Sequence, residues 1–248
     1  MNMMIRRLVA LLLLLLTVGA CSGLKPLVPL DPSRENAVFE NCRRPFLSRG
    51  YRLVHSLERV TPDGTKGTAI GILSADPRTR SFQTALMTIE GWLLFDAAVG
   101  ETLTVRRAIS PFDAPAFAKA LAEDIRLAFF PPGDKPAIWG EGEKGAMVCR
   151  HERADGRPVE VITFPEGAVE IRLYGSGREV LKRVTMSRPQ KPGLADALEI
   201  QNGWPPYTLR LRLLESEALD DESAPAAAPD GSDTSDPGSG NVKEKRMP

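Results

Sequence analysis

Histidine, net charge and aromatic side chains are all scarce in this 248-residue chain, and each scarcity removes a class of function. Only His55 and His151 are present, with three cysteines, whereas a metal site needs three or four ligands brought together. Cys149 and His151 share a face of the run "MVCRHER", but two ligands are too few for zinc, and structural roles fit them better. The chain lacks H-E-x-x-H, G-x-S-x-G, a G-x-x-x-x-G-K-[ST] phosphate loop and C-x-x-C, so no hydrolase, nucleotide or redox chemistry is written in a motif. Gly175-Ser176-Gly177 is flanked by strand-like runs and reads as a hairpin turn. Nothing calls for a cofactor or a metal, and the reading is of a non-enzyme. Lys plus Arg equal Asp plus Glu at 32 each, a balance that argues against a nucleic-acid partner, which would want a clustered basic face.

What is abundant comes first in the chain. Arg6 and Arg7 precede an apolar run from Leu8 to Val18 and the small residues Gly19 and Ala20, the layout of a secretory leader over residues 1–20. The run is shorter than the ~20 residues a bilayer span needs. The leader holds two arginines and no acid, so the chain from Cys21 onward has a net charge of −2.

Val18-Gly19-Ala20-Cys21 resembles a bacterial lipobox. That resemblance implies cleavage before Cys21 and attachment of diacylglycerol and a further acyl chain such as palmitate to Cys21. Two or more chains anchor stably where one gives only marginal binding. Ser22, rather than Asp, follows the cysteine, which by the same resemblance implies the outer membrane of a Gram-negative envelope, on its periplasmic side. Residues 21–30, with Pro26 and Pro29, form a tether. Residues 31–219 are long enough for one domain with a sizeable core. Residues 220–248 hold seven acids, three bases and no aromatic residue and read as a disordered tail. With Cys21 lipidated, Cys42 and Cys149 remain. An oxidising periplasm favours one disulfide between them over two separately buried thiols.

Within the body, Asp31-Pro32 is a cap and first-turn pair for a helix from Pro32 to about Arg43. The period then becomes two, as in Tyr207, Leu209, Leu211 and Leu213 alternating with Thr208, Arg210 and Arg212. Turn signals such as Pro62-Asp63-Gly64, Asp155-Gly156 and Glu166-Gly167 divide the chain into about eleven strands: 51–60, 67–74, 80–88, 92–98, 101–109, 146–153, 157–164, 168–174, 179–187, 196–202 and 207–215. Short connections make them antiparallel neighbours. One helix interrupts the series over 114–130, with Asp113 as cap, Pro115 in its first turn, and Phe117, Leu121 and Ile125 on one face. The expected fold is mainly β, of the α+β class: a curved half-barrel sheet with an N-terminal helix and a helical insertion across its concave face.

The stretch Ser81 to Val105 carries the most large apolar surface. A lipobox, an N-terminal helix, about eleven antiparallel strands and a mid-chain helical insertion together resemble the LolA/LolB family of periplasmic lipoprotein-handling proteins. "MTIEGWLLF" resembles the receptor's protruding turn, with Ile89 in the protruding place and Glu90 departing from the pattern; "YTLRLRLLE" resembles the closing strand. The resemblance implies an apolar cleft that binds lipid or an acylated cargo, such as a lipoprotein, and helps deliver it to the membrane. Ile89 and Trp92 would stand at its rim, and Phe82, Leu86, Leu94, Leu121, Ile125 and Phe129 would line it. The competing expectation is a structural or assembly lipoprotein that binds another envelope protein and has no ligand cavity.

Overall fold

The computed structural model describes residues 24–189 and 191–219. The leader, Cys21 and the acidic tail lie outside the described residues. Twelve strands form one antiparallel sheet: β1 (Tyr51–Val60), β2 (Lys66–Asp76), β3 (Ser81–Met87), β4 (Leu93–Val99), β5 (Leu103–Ala108), β6 (Ile138–Glu141), β7 (Met147–Glu152), β8 (Pro158–Thr163), β9 (Val169–Tyr174), β10 (Val180–Met186), β11 (Ala197–Gly203) and β12 (Pro206–Ala218). Their order is β5-β4-β3-β2-β1-β12-β11-β10-β9-β8-β7-β6. Sequence neighbours pair everywhere except at the centre, where β1 meets β12 over almost its whole length, from Tyr51↔Ala218 to Val60↔Thr208. The two end strands β5 and β6 do not pair, so the sheet curls without closing.

The expectation of about eleven antiparallel strands in an open curved sheet holds, with one further strand, β6, that the sequence did not reveal. β6 escaped notice because "IWGE" is four residues long, half of it Gly and Glu, and carries no alternation to read. It persists because both edges find partners: Trp139↔Cys149 on β7, and on the other side a bridge from Val28 to Glu141. The segment before the domain is therefore docked. Val28 and Glu141 exchange both backbone hydrogen bonds at 2.8–2.9 Å, Leu27 packs on Val148 and Ile162, and Lys25 pairs with Glu143 at 2.5 Å.

A 3-10 turn (Pro32–Arg34) leads into α1 (Glu35–Arg43), and the Asp31 carboxylate accepts the Ser33 N–H as the cap. The second helix, α2, spans Pro115–Phe129. Asp113 does not cap it. The N-cap is Ala114, with no side-chain hydrogen bond; Pro115 lies in the first turn and has no N–H to satisfy. Both helices cover the concave face. Cys42 of α1 is disulfide-bonded to Cys149 of β7, with Cα atoms 6.2 Å apart. The chain-entropy estimate for the loop this closes is about 4–5 kcal/mol. The buried alternation is regular, as in β1, where Tyr51, Leu53 and His55 face inward. The largest fully buried side chains include Phe82, Phe95, Phe130, Leu53, Ile171 and Leu173, all in the layer between sheet and helices.

Strict antiparallel alternation sorts the connections onto two ends. One end carries the β1–β2, β3–β4, β7–β8, β9–β10 and β11–β12 turns and the start of α2. The opposite end carries the remaining hairpin turns and the end of α2, where the Leu47 N–H donates to the Phe129 carbonyl.

Candidate ligand-binding site

α2 begins against β4 and β5. Phe117 meets Phe95 edge-on at 5.2 Å and Phe112 at 5.1 Å, a geometry worth ~1 kcal/mol per pair beyond area burial. From there the helix runs the length of the concave face. Leu121, Ile125 and Phe129, spaced by four, face the centre of the sheet and enclose a cavity of about 40 Å³ with His55, Leu57, Leu86, Ile200, Leu209 and Leu211. That volume is about a tenth of the 300–1,000 Å³ usual for a ligand pocket. In this state the helix is seated on the sheet and the apolar space beneath it is nearly filled.

The wall of the cavity is not wholly apolar. Asp124, only 3% exposed, forms an ion pair with Lys182 of β10 and accepts a hydrogen bond from the Tyr207 hydroxyl of β12 at 2.5 Å. Lys182 also reaches Glu123 at 3.2 Å, and Glu123 holds Arg157 at 2.9 Å at the mouth of the β7–β8 turn. Burial raises the Asp124 carboxyl above the usual carboxylate range although Lys182 and Tyr207 both favour its charge. Burial also raises Glu123, but the charges of Lys182 and Arg157 outweigh it and hold that carboxyl low. Tyr207 is pushed strongly upward, first by burial and then by the Asp124 charge, so it stays a hydroxyl donor. The helix is thus latched to two strands by the Asp124–Lys182 ion pair and the Tyr207 hydroxyl.

His55 lies on the cavity floor, its ring 5.7 Å from that of Phe129. Burial depresses its pKa to about 4, which keeps the imidazole neutral at pH 7. His151 is buried too and its pKa lowered by that burial, and among the described residues its Nδ1 has no hydrogen-bond partner. Cys149 beside it is in the disulfide and offers neither thiolate nor ligand.

Of the eight residues assigned to a cleft, Leu86, Leu121, Ile125 and Phe129 line the cavity. Phe82 is buried outside it, against Phe130 at 5.8 Å. Leu94 sits where β3 and β4 lose register and packs on the Leu86, Phe95 and Ala97 cluster. Ile89 and Trp92 lie on the β3–β4 turn, 72% and 73% exposed. Trp204, 86% exposed on the β11–β12 turn, joins them on the same end of the sheet and was not singled out in the sequence. Nor were Asp124, Lys182 and Tyr207 assigned to the site. Signals existed: Asp124 falls among Phe117, Leu121, Ile125 and Ala128 on the apolar face of α2, and Lys182 holds the inward parity of Val184 and Met186.

No protein-family model and no curated protein sequence matches the chain. Solved structures do. A putative outer membrane lipoprotein-sorting protein domain from Vibrio parahaemolyticus superposes with a TM-score of 0.51 at 10% identity, over 77% of this chain and 96% of that one. The chain shares the fold of that domain. A LolA superfamily protein from Nitrosomonas europaea (TM-score 0.45, 6% identity, 75% and 94% coverage) and a DUF1329 family protein from Desulfovibrio piger (0.48, 10%, 77% and 96%) are also similar. At such identities the likeness is one of fold. In this half-barrel β5 and β6 stay unpaired with each other, and helices, rather than further strands, cover the concave side. Among the described residues no helix is long and apolar enough to cross a membrane.

Proposed function

We propose that the protein is a lipid-anchored envelope protein of the periplasm that takes an acylated molecule between α2 and the sheet and passes it on without covalent chemistry. The observation that carries this reading is the contrast under α2. The surfaces facing each other are apolar, yet the helix is held down by a hydrophilic triad, Asp124–Lys182–Tyr207, that can rehydrate if the helix lifts. The cavity of about 40 Å³ then belongs to the unloaded state. Lifting α2 exposes Leu86, Leu121, Ile125 and Phe129 as one stripe, and each buried methylene of an acyl chain returns about 0.8 kcal/mol.

The anchor in this reading is acylated Cys21, attaching the chain to the outer membrane. Lys25 and Val28 are docked against β6, β7 and the turn between them, so at most about four residues, ~14 Å of chain, separate Cys21 from the body. Ile89, Trp92 and Trp204 stand on the end of the sheet opposite the β6–β7 turn where this segment docks. That placement suits a rim that meets cargo or its carrier in the periplasm.

A fluorescent fatty acyl probe tests the cleft. Leu121→Asp, in a variant that retains the wild-type circular dichroism spectrum, is expected to weaken binding at least tenfold. Unchanged binding refutes the cleft. Mass spectrometry of the protein isolated from membranes tests the anchor, since an unmodified mature N-terminus refutes it. The small cavity favours a second reading, an assembly protein with a packed core that offers Trp92 and Trp204 to another envelope protein. Native lipid co-purifying with the domain would exclude it.

A further inference from the structure

A second cavity, of about 330 Å³, opens at the far end of the half-barrel from Ile89 and Trp92, between the end of α1, the β8–β9 turn and the loop after β10. Its polar lining is all donor-capable: Arg44, Arg188, the Asn41 amide and the Thr163 hydroxyl, with no carboxylate. Both arginines are exposed at the rim, and among the described residues neither has an ion-pair partner. The Thr163 Oγ1 is buried and among the described residues has no hydrogen-bond partner. Arg188 is aimed by its neighbour. Gly167, at φ +88°, leaves room that a Cβ would fill at 2.9 Å from the Arg188 Cδ. The C-terminal carbonyls of α1 lie on the same rim and present about half a negative charge; two guanidinium charges outweigh it. The rest of the wall, including Met147, Phe164 and Pro165, is apolar.

We propose that this pocket binds the phosphate of an amphiphile, with both guanidiniums and the Thr163 hydroxyl on the phosphate and the apolar wall against the adjoining glycerol and first methylenes. Arginine suits this task because its planar fork donates two hydrogen bonds to one phosphate. The site is distinct from the space under α2 and does not depend on it.

Isothermal titration calorimetry of the full-length chain carrying Cys21→Ala, with monomeric dihexanoyl phosphatidic acid, tests the assignment. One equivalent is expected to bind, at least tenfold more tightly than inorganic phosphate. Arg44→Gln and Arg188→Gln are each expected to weaken it at least tenfold with an unchanged Tm, and Thr163→Val severalfold. Equal binding of inorganic phosphate and the lipid overturns the amphiphile assignment. Wild-type affinity in both arginine variants overturns the site altogether. Leu121→Asp reports on the other cavity: if it abolishes phosphatidic acid binding while Arg188→Gln does not, the ligand lies under α2, and this proposal fails while the cleft reading stands.

Discussion

Replacing Lys182 with Met removes the one cation bonded to Asp124 among the described residues and leaves a carboxylate that is 3% exposed with, among those residues, the Tyr207 hydroxyl as partner. An uncompensated buried charge of this kind costs roughly 3–5 kcal/mol. In a domain of this size each kcal/mol moves Tm by about 2–4 °C, so Lys182→Met is expected to lower Tm by ~6–20 °C. Because neutralising Asp124 relieves the penalty, the loss should shrink as pH is lowered toward the raised pKa of that carboxyl. Removing the whole triad, as Asp124→Leu/Lys182→Met/Tyr207→Phe, leaves no buried polar atom of the three unpaired and adds apolar contact. This triple variant is expected to recover to within ~1 kcal/mol of wild type. Differential scanning calorimetry at pH 7 with urea unfolding measures both. A single variant within ~1 kcal/mol of wild type, or a triple variant no more stable than the single, refutes the claim that the triad is a buried, mutually dependent latch.

His55 has a pKa near 4 in the folded protein against about 6.5 unfolded, so the unfolded chain binds the extra proton first; stability is complete above pH 6.5 and falls by up to ~3 kcal/mol as pH drops to 4, a slope that His55→Gln should flatten in pH-dependent urea titrations. Cys42→Ala/Cys149→Ala is expected to lose about 4–5 kcal/mol, and reductant should lower the Tm of wild type but not of the variant. Trp92→Ala and Trp204→Ala should each shift stability by less than ~0.5 kcal/mol, since both side chains are more than 70% exposed; a larger shift in thermal melts means the turns pack on something.

The half-barrel was legible because its strands are two-faced. Tyr207, Leu209 and Leu211, or Val169, Ile171 and Leu173, declare one wet and one dry side, and turn residues mark where each strand stops. β6 was illegible for the converse reason: its existence is decided by Val28 and Cys149 on either side, which are 113 residues before Glu141 and 10 residues after Trp139. Phe82 and Leu94 show a similar limit. Sequence identifies them as apolar and β-paired, but whether an inward side chain lines a gap or fills the core depends on the helix opposite, and for Leu94 on a register shift between β3 and β4. Asp124 and Lys182 were readable as charges at inward positions, a local inconsistency of the kind that marks functional sites.

That inconsistency bears on why α2 is held as it is. Stability alone does not call for charge at this interface, because well-packed apolar side chains of similar volume would hold the helix as firmly or more so. The two solutions differ when the helix separates from the sheet. An apolar contact loses about 25 cal/mol for every Å² returned to water, whereas Asp124, Lys182 and Tyr207 regain hydration they surrendered on burial. A latch of this composition keeps the closed form unique, since only one seating of α2 satisfies all three groups, and lowers the free energy of opening relative to an apolar seam of equal closed-state strength. In the proposed loading step α2 lifts, the apolar stripe Leu86, Leu121, Ile125 and Phe129 needs another cover, and the chemistry of an acyl chain would match it.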